Sequence, residues 1–401
     1  MKVAIIGGGA AGFFTAISAK AHHPEADVHL LERSNKLLAK VKVSGGGRCN
    51  VTHNQLNNRL LSQYYPRGEK FLRIAFEQFS VSDTVQWFES RGVQLKTEAD
   101  NRMFPVTNDS QTIIDSLTSE ARGQGTRVRL QTPVSTIYRK SEGFSLSIGA
   151  GSEHFDKVII ATGGSPKREG LQWLAELGHE IVDPVPSLFT FNMPKNPITH
   201  LMGVSVPNAQ IRIVGSKLSA TGPLLITHWG ISGPAVLKTS AYGARELAQL
   251  NYNFKCAINW LGGTKEHLVR SEIEELLPDI GKRKITNRNP FELPSRLWDY
   301  FLNRAEVDSE KPWNEIGKKS LNKLINTLVN DEYEVKGKTT FKEEFVTAGG
   351  VSLDDIDPET MQSKVVPGLY FAGEVMDIDG VTGGFNFQAA WTTGFIAGKL
   401  T

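Results

Sequence analysis

The chain has 401 residues, of which 40% are hydrophobic and 22% are charged, and its formal net charge is +2. This composition is typical of a globular protein with two or three domains, and it gives no overall basic signal for nucleic acid. Two cysteines, Cys49 and Cys256, cannot form a disulfide framework. Glycines interrupt the uncharged stretch 3–19, so no membrane helix is expected there. We therefore expect a cytoplasmic protein with no membrane partner.

The first element is a short apolar strand, VAII at 3–6, which leads into a glycine-rich turn and then a helical pattern. The turn from Gly7 to Gly12 has the GxGxxG spacing of a dinucleotide-binding loop. Gly7 permits the tight turn, Gly9 lets the backbone approach a pyrophosphate, and Gly12 lets helix and strand pack closely. The N–H groups at the start of the helix then face the phosphates.

A second apolar strand, VHLLE at 28–32, ends in an acid at the distance where a carboxylate accepts hydrogen bonds from a ribose. Strand, glycines, helix, strand and acid agree, so the sequence predicts a Rossmann-like α/β domain that binds FAD or NAD. The contacts predicted in this part of the chain are Gly7, Gly9, Ala10, Ala11, Gly12, Glu32 and Arg33.

Helical patterns follow at about 68–79 and 82–91, and Ser82 is the expected cap of the second helix. A further helix is expected at 111–125, and four apolar or alternating segments after it indicate strands. The last of these, KVIIATGG at 157–164, has the pattern of a buried strand.

From about residue 190 the character changes, and recurring prolines indicate a domain boundary. Alternating segments then predict a β-rich part, which is followed by helical spacing at 264–330. LYFAGE at 369–374 returns to the buried-strand pattern, and FNFQAAW at 385–391 begins a closing helix. A C-terminal segment that completes an N-terminal nucleotide site is common in flavoproteins, so it favours FAD over NAD.

The segment KVSGGGRCNVTH at 42–53 has an unusual run of three glycines. It is not a Walker loop, because no GKS or GKT follows. Cys49 and His53 would need two more ligands to hold a metal, and none cluster nearby, so no metal is predicted.

Six segments in combination resemble the BaiN/RdsA-like flavoproteins, also called YhiN-like. These segments are VAIIGGGAAG, KVSGGGRCNVT, NRMFPVT, VIIATGGSP, ITHWGISGPAVL and LYFAGEVMDIDGVTGGFNFQAAW. The resemblance implies an FAD domain built from both chain ends, 1–191 and 343–401, and an insert domain at 192–342. The insert would be β-rich at about 192–262 and helical at about 263–330.

The resemblance also implies flavin-dependent reduction of a carbon–carbon double bond. One branch of the family is associated with a uracil ring of large-subunit ribosomal RNA, which becomes dihydrouridine, and another with bile-acid-like enones. NAD(P)H is the candidate electron donor. The chain has no second strand–GxGxxG–helix pattern, so this donor would reach the flavin without a Rossmann domain of its own.

The resemblance places bare glycine backbone from 44–50 against the flavin ring and phosphates. Glu374 would bind the ribityl chain, and N–H groups from Asn386 to Gln388 would face the pyrimidine edge and stabilise the reduced flavin. The implied contacts are Lys40 and Lys42 near the diphosphate, Ser44, Gly45, Gly46, Gly47, Arg48, Cys49, Asn50, Val134 beside the adenine, Thr162, Gly163, Gly373, Glu374, Asn386, Phe387 and Gln388.

Reduction of an enone needs a proton as well as a hydride. Cys49 and His228 are the candidate acids, although Cys49 is equally typical of a small residue packed beside the cofactor and His228 of a structural histidine. Arg102 either binds substrate or pairs with a carboxylate.

The basic run KRKITNR at 282–288 is the candidate contact between the insert domain and ribosomal RNA. Two alternatives to a reductase stay open. One is a flavin oxidase or dehydrogenase of a small amine or carbonyl compound, and the other is a non-catalytic, FAD-bearing RNA-binding or assembly factor.

Overall fold

The computed structural model describes residues 1–340 and 346–401, and the chain divides into two compact units. The first comprises Met1–Ser187 with residues 346–401, and the second is Leu188–Thr340. The structure divides the chain between Ser187 and Leu188, whereas the predicted boundary was 191/192. The strand Thr190–Asn192 already pairs within the second unit. The boundary predicted at 342/343 lies outside the described residues.

The strands and helices of the described residues are numbered in chain order. The strands are β1 (Lys2–Ile6), β2 (Asp27–Leu31), β3 (Thr52–His53), β4 (Leu95–Thr97), β5 (Arg102–Pro105), β6 (Arg127–Arg129), β7 (Val134–Arg139), β8 (Phe144–Ile148), β9 (Gly151–Phe155), β10 (Lys157–Ile160), β11 (Ile181–Pro186), β12 (Thr190–Asn192), β13 (Ser205–Ile213), β14 (Ser219–Thr227), β15 (Gly230–Ser232), β16 (Asn253–Asn259), β17 (Asp331–Lys336), β18 (Lys338–Thr339), β19 (Thr347–Val351) and β20 (Leu369–Phe371). The helices are α1 (Ala10–His22), α2 (Ala39–Gly47), α3 (Asn58–Ser62), α4 (Glu69–Ala75), α5 (Val81–Glu89), α6 (Ser110–Gly123), α7 (Gln172–Ala175), α8 (Pro234–Tyr242), α9 (Ala244–Gln249), α10 (Glu266–Ile280), α11 (Ser295–Arg304), α12 (Lys318–Val329) and α13 (Phe385–Gly398).

The first unit contains a parallel sheet in the order β20-β10-β1-β2-β6. Residues 3–6 of β1 and 158–160 of β10 are buried, which agrees with their wholly apolar runs VAII and VII. The chain passes from β1 through α1 to β2 on one side and returns to the other side of β1 at β10. Open α/β sheets bind ligands at such a switch point, beyond the carboxyl ends of the strands. This topology confirms the predicted Rossmann-like α/β fold.

The first and last helices, α1 and α13, pack closely in the first unit. A Cβ atom at Gly394 would lie 2.8 Å from the carbonyl oxygen of Ala11, and one at Gly398 would lie 2.5 Å from Cβ of Ser18. The hydroxyl of Ser18 also donates to the carbonyl of Phe395 at 2.6 Å. These contacts attach the C-terminal helix to the N-terminal one, so both chain ends build one domain.

A small antiparallel sheet, β3-β5-β4, brings two distant sequence motifs together. Thr52 lies opposite Met103 and His53 lies opposite Arg102. The N–H of Val51 donates to the carbonyl of Met103 at 2.9 Å. The NRMFP segment therefore runs alongside the end of the glycine-rich segment. The described part of this unit also contains a three-stranded antiparallel sheet, β7-β8-β9, and a two-stranded one, β11-β19.

The second unit is built on an antiparallel sheet in the order β17-β16-β13-β14-β15-β12-β18. Its core includes the buried side chains of Trp260, Trp298 and Trp313. The part predicted as β-rich contains two helices, α8 and α9, and this corrects the sequence reading. PAVLKTS forms a helix because Pro234 occupies the first turn, where its missing N–H and fixed φ are tolerated.

Helix α5 corrects a second expectation, because its cap is Ser80 and not Ser82. The side chains of Ser80 and Asp83 each accept from the other residue's backbone N–H, which forms a capping box. Among the helices of the described residues, none is long and apolar enough to span a bilayer.

Candidate functional site

The glycine-rich turn after β1 combines close packing with open space. A Cβ atom at Gly12 would lie 1.9 Å from the carbonyl oxygen of Gly7, so the start of α1 can approach the turn only without a side chain. At Gly9, by contrast, no atom lies within 4 Å of the corresponding position. Ala10 and Ala11 follow as the first residues of α1. The N-terminal N–H groups of this helix and the open edge at Gly9 fit a pyrophosphate.

Glu32, the acid after β2, holds the glycine turn in place. Its carboxylate accepts hydrogen bonds from the backbone N–H of Gly8 and of Ser34, both at 2.8 Å. Carboxylate oxygens have further lone pairs, so these bonds leave capacity for a ribose hydroxyl. The neighbouring Arg33 is exposed. The predicted ribose contact of Glu32 is thus compatible with its structural role.

The backbone segment next to Glu32 consists of residues 129–132. The N–H of Glu32 donates to Arg129 at 2.9 Å, and the N–H of Thr132 donates to the carbonyl of Glu32 at 2.8 Å. Val134 lies two residues further on, where β7 begins opposite Ile148. The adenine contact assigned to Val134 stays a prediction.

The ATGG segment follows β10 at the same edge of the parallel sheet as the glycine turn. A Cβ atom at Gly7 would lie 2.3 Å from the carbonyl oxygen of Ala161. Thr162 is exposed, and Gly163 has a left-handed φ of 74° with no atom within 4 Å of its missing side chain. The second predicted part of the nucleotide crevice therefore borders the first.

Glu374 has two partners within the first unit. Its carboxylate accepts from the backbone N–H of Thr347 at 2.8 Å and pairs with the ammonium of Lys40 at 2.7 Å. The adjoining Gly373 donates its N–H to the hydroxyl of Thr393 at 2.9 Å. Lys40 thus pairs with a carboxylate, and its predicted place near the diphosphate stays a prediction.

The three-glycine run lies where α2 loses its helical geometry. Ser44 is extended, with ψ at 148°, and Gly45 and Gly46 have left-handed φ angles of 59° and 70°. No atom lies within 4 Å of the missing side chains of Gly46 and Gly47. The segment therefore presents bare backbone to open space, which fits a flat ring system. Lys42 instead donates to the side chain of Gln111 at 2.9 Å.

Two arginines predicted to contact ligands share one carboxylate. Arg48 and Arg102 pair with the two oxygens of Glu98, at 2.6 and 3.2 Å. Arg102 also pairs with Asp100 at 2.7 Å. The guanidinium of Arg48 lies 4.0 Å from the centre of the Phe104 ring, a cation–π contact. Of the two interpretations given for Arg102, the structure shows the carboxylate pairing.

Cys49 is fully buried, with 0% of its surface exposed. Burial raises the pKa of its thiol to about 12, although a hydrogen bond with Ser44 opposes this shift. A thiol packed on all sides by protein atoms can neither contact a substrate nor exchange its proton readily. The structure therefore corrects the assignment of Cys49 as the acid and favours the packing role.

His228 belongs to the second unit, in the turn between β14 and β15. Its imidazole is exposed and packs edge-on against the ring of Trp229, with centroids 4.3 Å apart.

The free N–H groups at the start of α13 begin and end one residue earlier than the predicted range, Asn386 to Gln388. The N–H of Gln388 donates to the carbonyl of Gly384 at 3.0 Å, so the N–H groups ahead of the first intrahelical bond are those of Phe385, Asn386 and Phe387. The side chain of Gln388 is fully buried and bonded to the hydroxyls of Thr84 and Thr392. Gln388 is therefore a core residue and not a cofactor contact.

The Asn386 side chain closes the loop that precedes α13. Its amide accepts from the N–H of Gly380 at 2.8 Å and donates to the carbonyl of the same residue at 2.9 Å. Phe387 is half-buried and stacks on Trp391. Among these three predicted contacts, the backbone N–H groups of Asn386 and Phe387 are therefore those placed to meet a ligand.

The predicted polar contact Asn50 also has protein partners. With its amide oriented to satisfy both neighbours, it accepts from the N–H of Gly384 at 2.9 Å and donates to the carbonyl of Thr52 at 3.0 Å. The sequence analysis did not identify Thr52 and Gly384 as partners of Asn50. The glycine pair before the last helix was the signal that could have indicated a close approach there. Gly384 has φ at 93°, so glycine is favoured at this cap.

Across residues 1–340 and 346–401, no group of three or more His, Cys, Asp or Glu side chains is placed to hold a metal ion. The donor set at the switch point consists instead of helix N–H groups, glycine backbone and two carboxylates. This set fits a dinucleotide, which needs phosphate donors, ribose acceptors and room beside the backbone.

The fold and this crevice, together with the family and the relatives described next, define an FAD-dependent oxidoreductase with a Rossmann-like domain, as predicted. The chain belongs to the HI0933-like family, since it matches the HI0933-like protein Rossmann domain over residues 1–400. The predicted membership of the BaiN/RdsA-like flavoproteins is thereby confirmed.

Two relatives match over nearly their full lengths. A 3-dehydro-bile acid delta(4,6)-reductase of Clostridium scindens is 27% identical over 99% of this chain and 98% of its own. A ribosomal RNA dihydrouridine synthase of Escherichia coli is 28% identical over 97% of this chain and 95% of its own. The 3-ketosteroid delta1-dehydrogenase of Sterolibacterium denitrificans has a TM-score of 0.53 at 11% identity, covering 99% of this chain and 98% of that one. That structure shares the fold.

Proposed function

We propose that this protein reduces a carbon–carbon double bond conjugated to a carbonyl group, with NAD(P)H as the electron donor. The observation that carries the proposal is the open backbone of Gly9 and Gly163 at the carboxyl ends of β1 and β10. It is supported by full-length relatives named as a bile acid reductase and a dihydrouridine synthase, because both names describe reductions of conjugated double bonds.

The reaction balances with one donor and one proton. FAD, when bound, supplies to the substrate the hydride that NAD(P)H has given up. One carbon of the double bond gains this hydride and the other gains a proton, so NAD(P)H is oxidised to NAD(P)⁺ and the double bond becomes single.

The residues at the crevice hold and orient the cofactor. The N–H groups of α1 and the edge at Gly9 bind the diphosphate, and Glu32 accepts from the ribose. Glu374, which pairs with Lys40, accepts from the ribityl chain. Residues 1–187 and 346–401 act as the FAD domain and 188–340 as the insert. We assign the proton to His228, since of the two predicted acids it is the one with an exposed side chain.

A uracil ring in RNA is the second substrate candidate, and a basic loop in the second unit favours it. Lys282, Arg283 and Arg288 are exposed in one turn. Trp313 fixes that turn, because its N–H groups donate to the carbonyls of Arg283 at 3.1 Å and Arg288 at 3.0 Å. A rigid cluster of cations suits the phosphates of RNA. We place the protein in the reducing cytoplasm, in keeping with its two buried free thiols.

The test is an anaerobic titration of the purified protein with NADPH, followed through the visible flavin absorbance. We expect the band to bleach and to return when an enone or a uridine-containing RNA is added. Bleaching that only oxygen reverses would favour the oxidase alternative. A flavoprotein that binds RNA but shows neither bleaching nor turnover would favour the assembly-factor alternative.

A further inference from the structure

Four successive residues after the three-glycine run each bond to α13 or to the two glycines that precede it. The pairs are Asn50 with Gly384, Val51 with Trp391, Thr52 with Gln388, and His53 with Gly383. The bond lengths are 2.9, 2.9, 2.6 and 3.1 Å in the same order. We call residues 50–53 the clamp segment. Both side-chain and backbone atoms of the clamp segment take part in these hydrogen bonds.

The clamp segment lies between two parts of the proposed flavin site. On one side, only Arg48 and Cys49 separate it from Gly46 and Gly47, whose missing side chains have no atom within 4 Å. On the other side, it holds the residues that immediately precede and begin α13, whose first N–H groups precede the intrahelical ladder. The clamp segment therefore fixes the distance between an open glycine edge and a helix N-terminus.

The clamp segment and the cap of α13 are also in close van der Waals contact. A Cβ atom at Gly384 would lie 2.6 Å from the carbonyl of Thr52, so the helix cap rests on the backbone of the clamp segment. Asn50 and Thr52 are buried, and Gln388 is fully buried. Hydrogen bonds in such surroundings hold their geometry, because water does not compete for the partners.

We infer that Asn50 and Thr52 are positioning residues that hold the N-terminus of α13 in register with the glycine-rich segment and thereby set the reduction potential of the flavin. This inference rests on the proposed function, in which the flavin lies between these two elements. The partial positive charge of a helix N-terminus favours the form of a ligand that carries more negative charge, and its effect falls off within one turn. A small displacement of α13 therefore changes the potential.

The chain offers a matched control for this role. Thr84, on α5, is fully buried and donates to the same oxygen of Gln388, at 3.0 Å. Thr84→Val and Thr52→Val thus remove the same group from the same acceptor, but only Thr52 belongs to the clamp segment. Thr52→Ser keeps the hydroxyl and serves as the conservative rescue.

The experiment measures FAD content, the midpoint potential by anaerobic dye titration, and the visible spectrum of the holoenzyme for each variant. For Thr52→Val and Asn50→Ala we expect FAD to stay bound through the glycine turn after β1. We expect the preference for the reduced form to fall about tenfold, which corresponds to a midpoint potential about 30 mV lower. Thr84→Val and Thr52→Ser should keep the parent potential.

The outcomes separate the two proposals. Potentials that are the same in Thr52→Val, Asn50→Ala and the parent, with FAD bound, would overturn the positioning role and leave the reductase untouched. Equal shifts in Thr52→Val and Thr84→Val would also overturn it, since they would indicate a general loosening of the core around Gln388. A parent protein that binds no FAD would instead overturn the proposed function. Should Thr52→Val fail to fold, Asn50→Ala against Thr84→Val decides the same question.

Discussion

Gly9 and Gly12 lie three residues apart in one turn, yet they should tolerate a side chain very differently. Gly9 is extended, with φ at −91°, and faces open space, so Gly9→Val should fold with a loss of about 1 kcal/mol or less. Gly12→Ala would place its methyl group 1.9 Å from a carbonyl oxygen and should cost about 1–3 kcal/mol. Urea unfolding monitored by circular dichroism measures both.

For FAD affinity we expect the opposite order: Gly9→Val, the more stable variant, should bind FAD more weakly than Gly12→Ala. Gly9→Val fills the space proposed for the pyrophosphate, so we expect FAD binding to be lost from a folded protein. Gly12→Ala should retain FAD to the extent that it folds. Titration of FAD fluorescence at low denaturant reads this out, and normal affinity in Gly9→Val would contradict the placement of the pyrophosphate.

Cys49 should be dispensable for the chemistry. Its thiol is buried and has a pKa of about 12, so it stays protonated and out of contact with substrate across the neutral pH range. We expect Cys49→Ala to keep its FAD and to form product within about twofold of the parent rate, since no catalytic group is lost. His228→Gln is the comparison, for which the proposal expects a loss of about 10²-fold or more. A Cys49→Ala variant with full FAD and little product would restore the thiol as the acid.

The backbone contacts of the site were the predictable ones, because a motif such as GxGxxG describes what the main chain must do at each position. The side-chain partners were not predictable. Arg48 pairs with Glu98, which lies fifty residues further along the chain, and Lys40 pairs with Glu374. Nothing local in the sequence distinguishes an arginine that meets a ligand from one that meets a distant carboxylate.

Secondary structure elements were predictable where their pattern was long and strongly periodic, and least so at their ends. The cap of α5 was misplaced by two residues because Ser80 and Ser82 both precede an apolar run, and only the reciprocal bond to Asp83 selects between them. Helix α8 was missed because its apolar residues also suit a strand. The proline in its first turn was the discriminating signal.

A buried histidine ties the segment after α7 to the segment before β20, and it should make the first unit sensitive to acid. Nδ1 of His179 lies 3.2 Å from the carbonyl of Leu174, and Nε2 lies 2.7 Å from the hydroxyl of Ser363. Since a carbonyl only accepts, Nδ1 carries the hydrogen and Ser363 donates to Nε2. Burial lowers the pKa of His179 below its usual value, because desolvation disfavours the charged form.

The unfolded chain therefore binds the proton more tightly than the folded one. The contribution of His179 to stability is complete above the unfolded pKa of about 6.5 and is lost as the pH falls below it. His179→Gln should cost about 1 kcal/mol at pH 8 and should flatten the decline in unfolding free energy between pH 8 and pH 5.5. Urea midpoints at the two pH values test this. The exposed His154, replaced in the same way, should leave the slope as it is.

The basic loop of the second unit gives the RNA candidate a quantitative signature. Replacing Lys282, Arg283 and Arg288 together by glutamine should weaken RNA binding and reduce the slope of log affinity against log salt by up to about 2, because each phosphate contact to a single strand contributes about 0.7. The fold should persist, since Trp313 bonds to the backbone of the loop and not to these side chains.

Three exposed lysines elsewhere in the same unit, Lys217, Lys255 and Lys265, provide the control for net charge. Their replacement by glutamine removes the same number of charges. An equal change in the salt slope from both triple variants would mean that RNA senses overall charge and not this loop. Turnover of a small enone should be the same in both triple variants, because neither set includes a residue proposed to bind FAD or to supply the proton.

The general architecture followed from the sequence because the nucleotide-binding pattern occurs once, at the N-terminus, and the C-terminal segment repeats the buried-strand pattern that completes it. The position of the linker did not follow, since prolines lie on both sides of the division between Ser187 and Leu188 and do not mark it. In the described residues there is one parallel sheet, and the sequence contains one GxGxxG strand–helix pattern. A flavoenzyme with a separate pyridine-nucleotide domain needs two of each.

NAD(P)H and the substrate should therefore use the same approach to the flavin in turn. In the proposed reaction, NAD(P)H would give up its hydride and leave as NAD(P)⁺ before the conjugated acceptor enters, so we expect ping-pong kinetics. Double-reciprocal plots against one substrate at several fixed concentrations of the other should be parallel. A saturated analogue of the acceptor should compete with NAD(P)H, because both occupy one place. Intersecting lines, together with non-competitive inhibition by that analogue, would instead require a ternary complex and a second binding site for the nicotinamide.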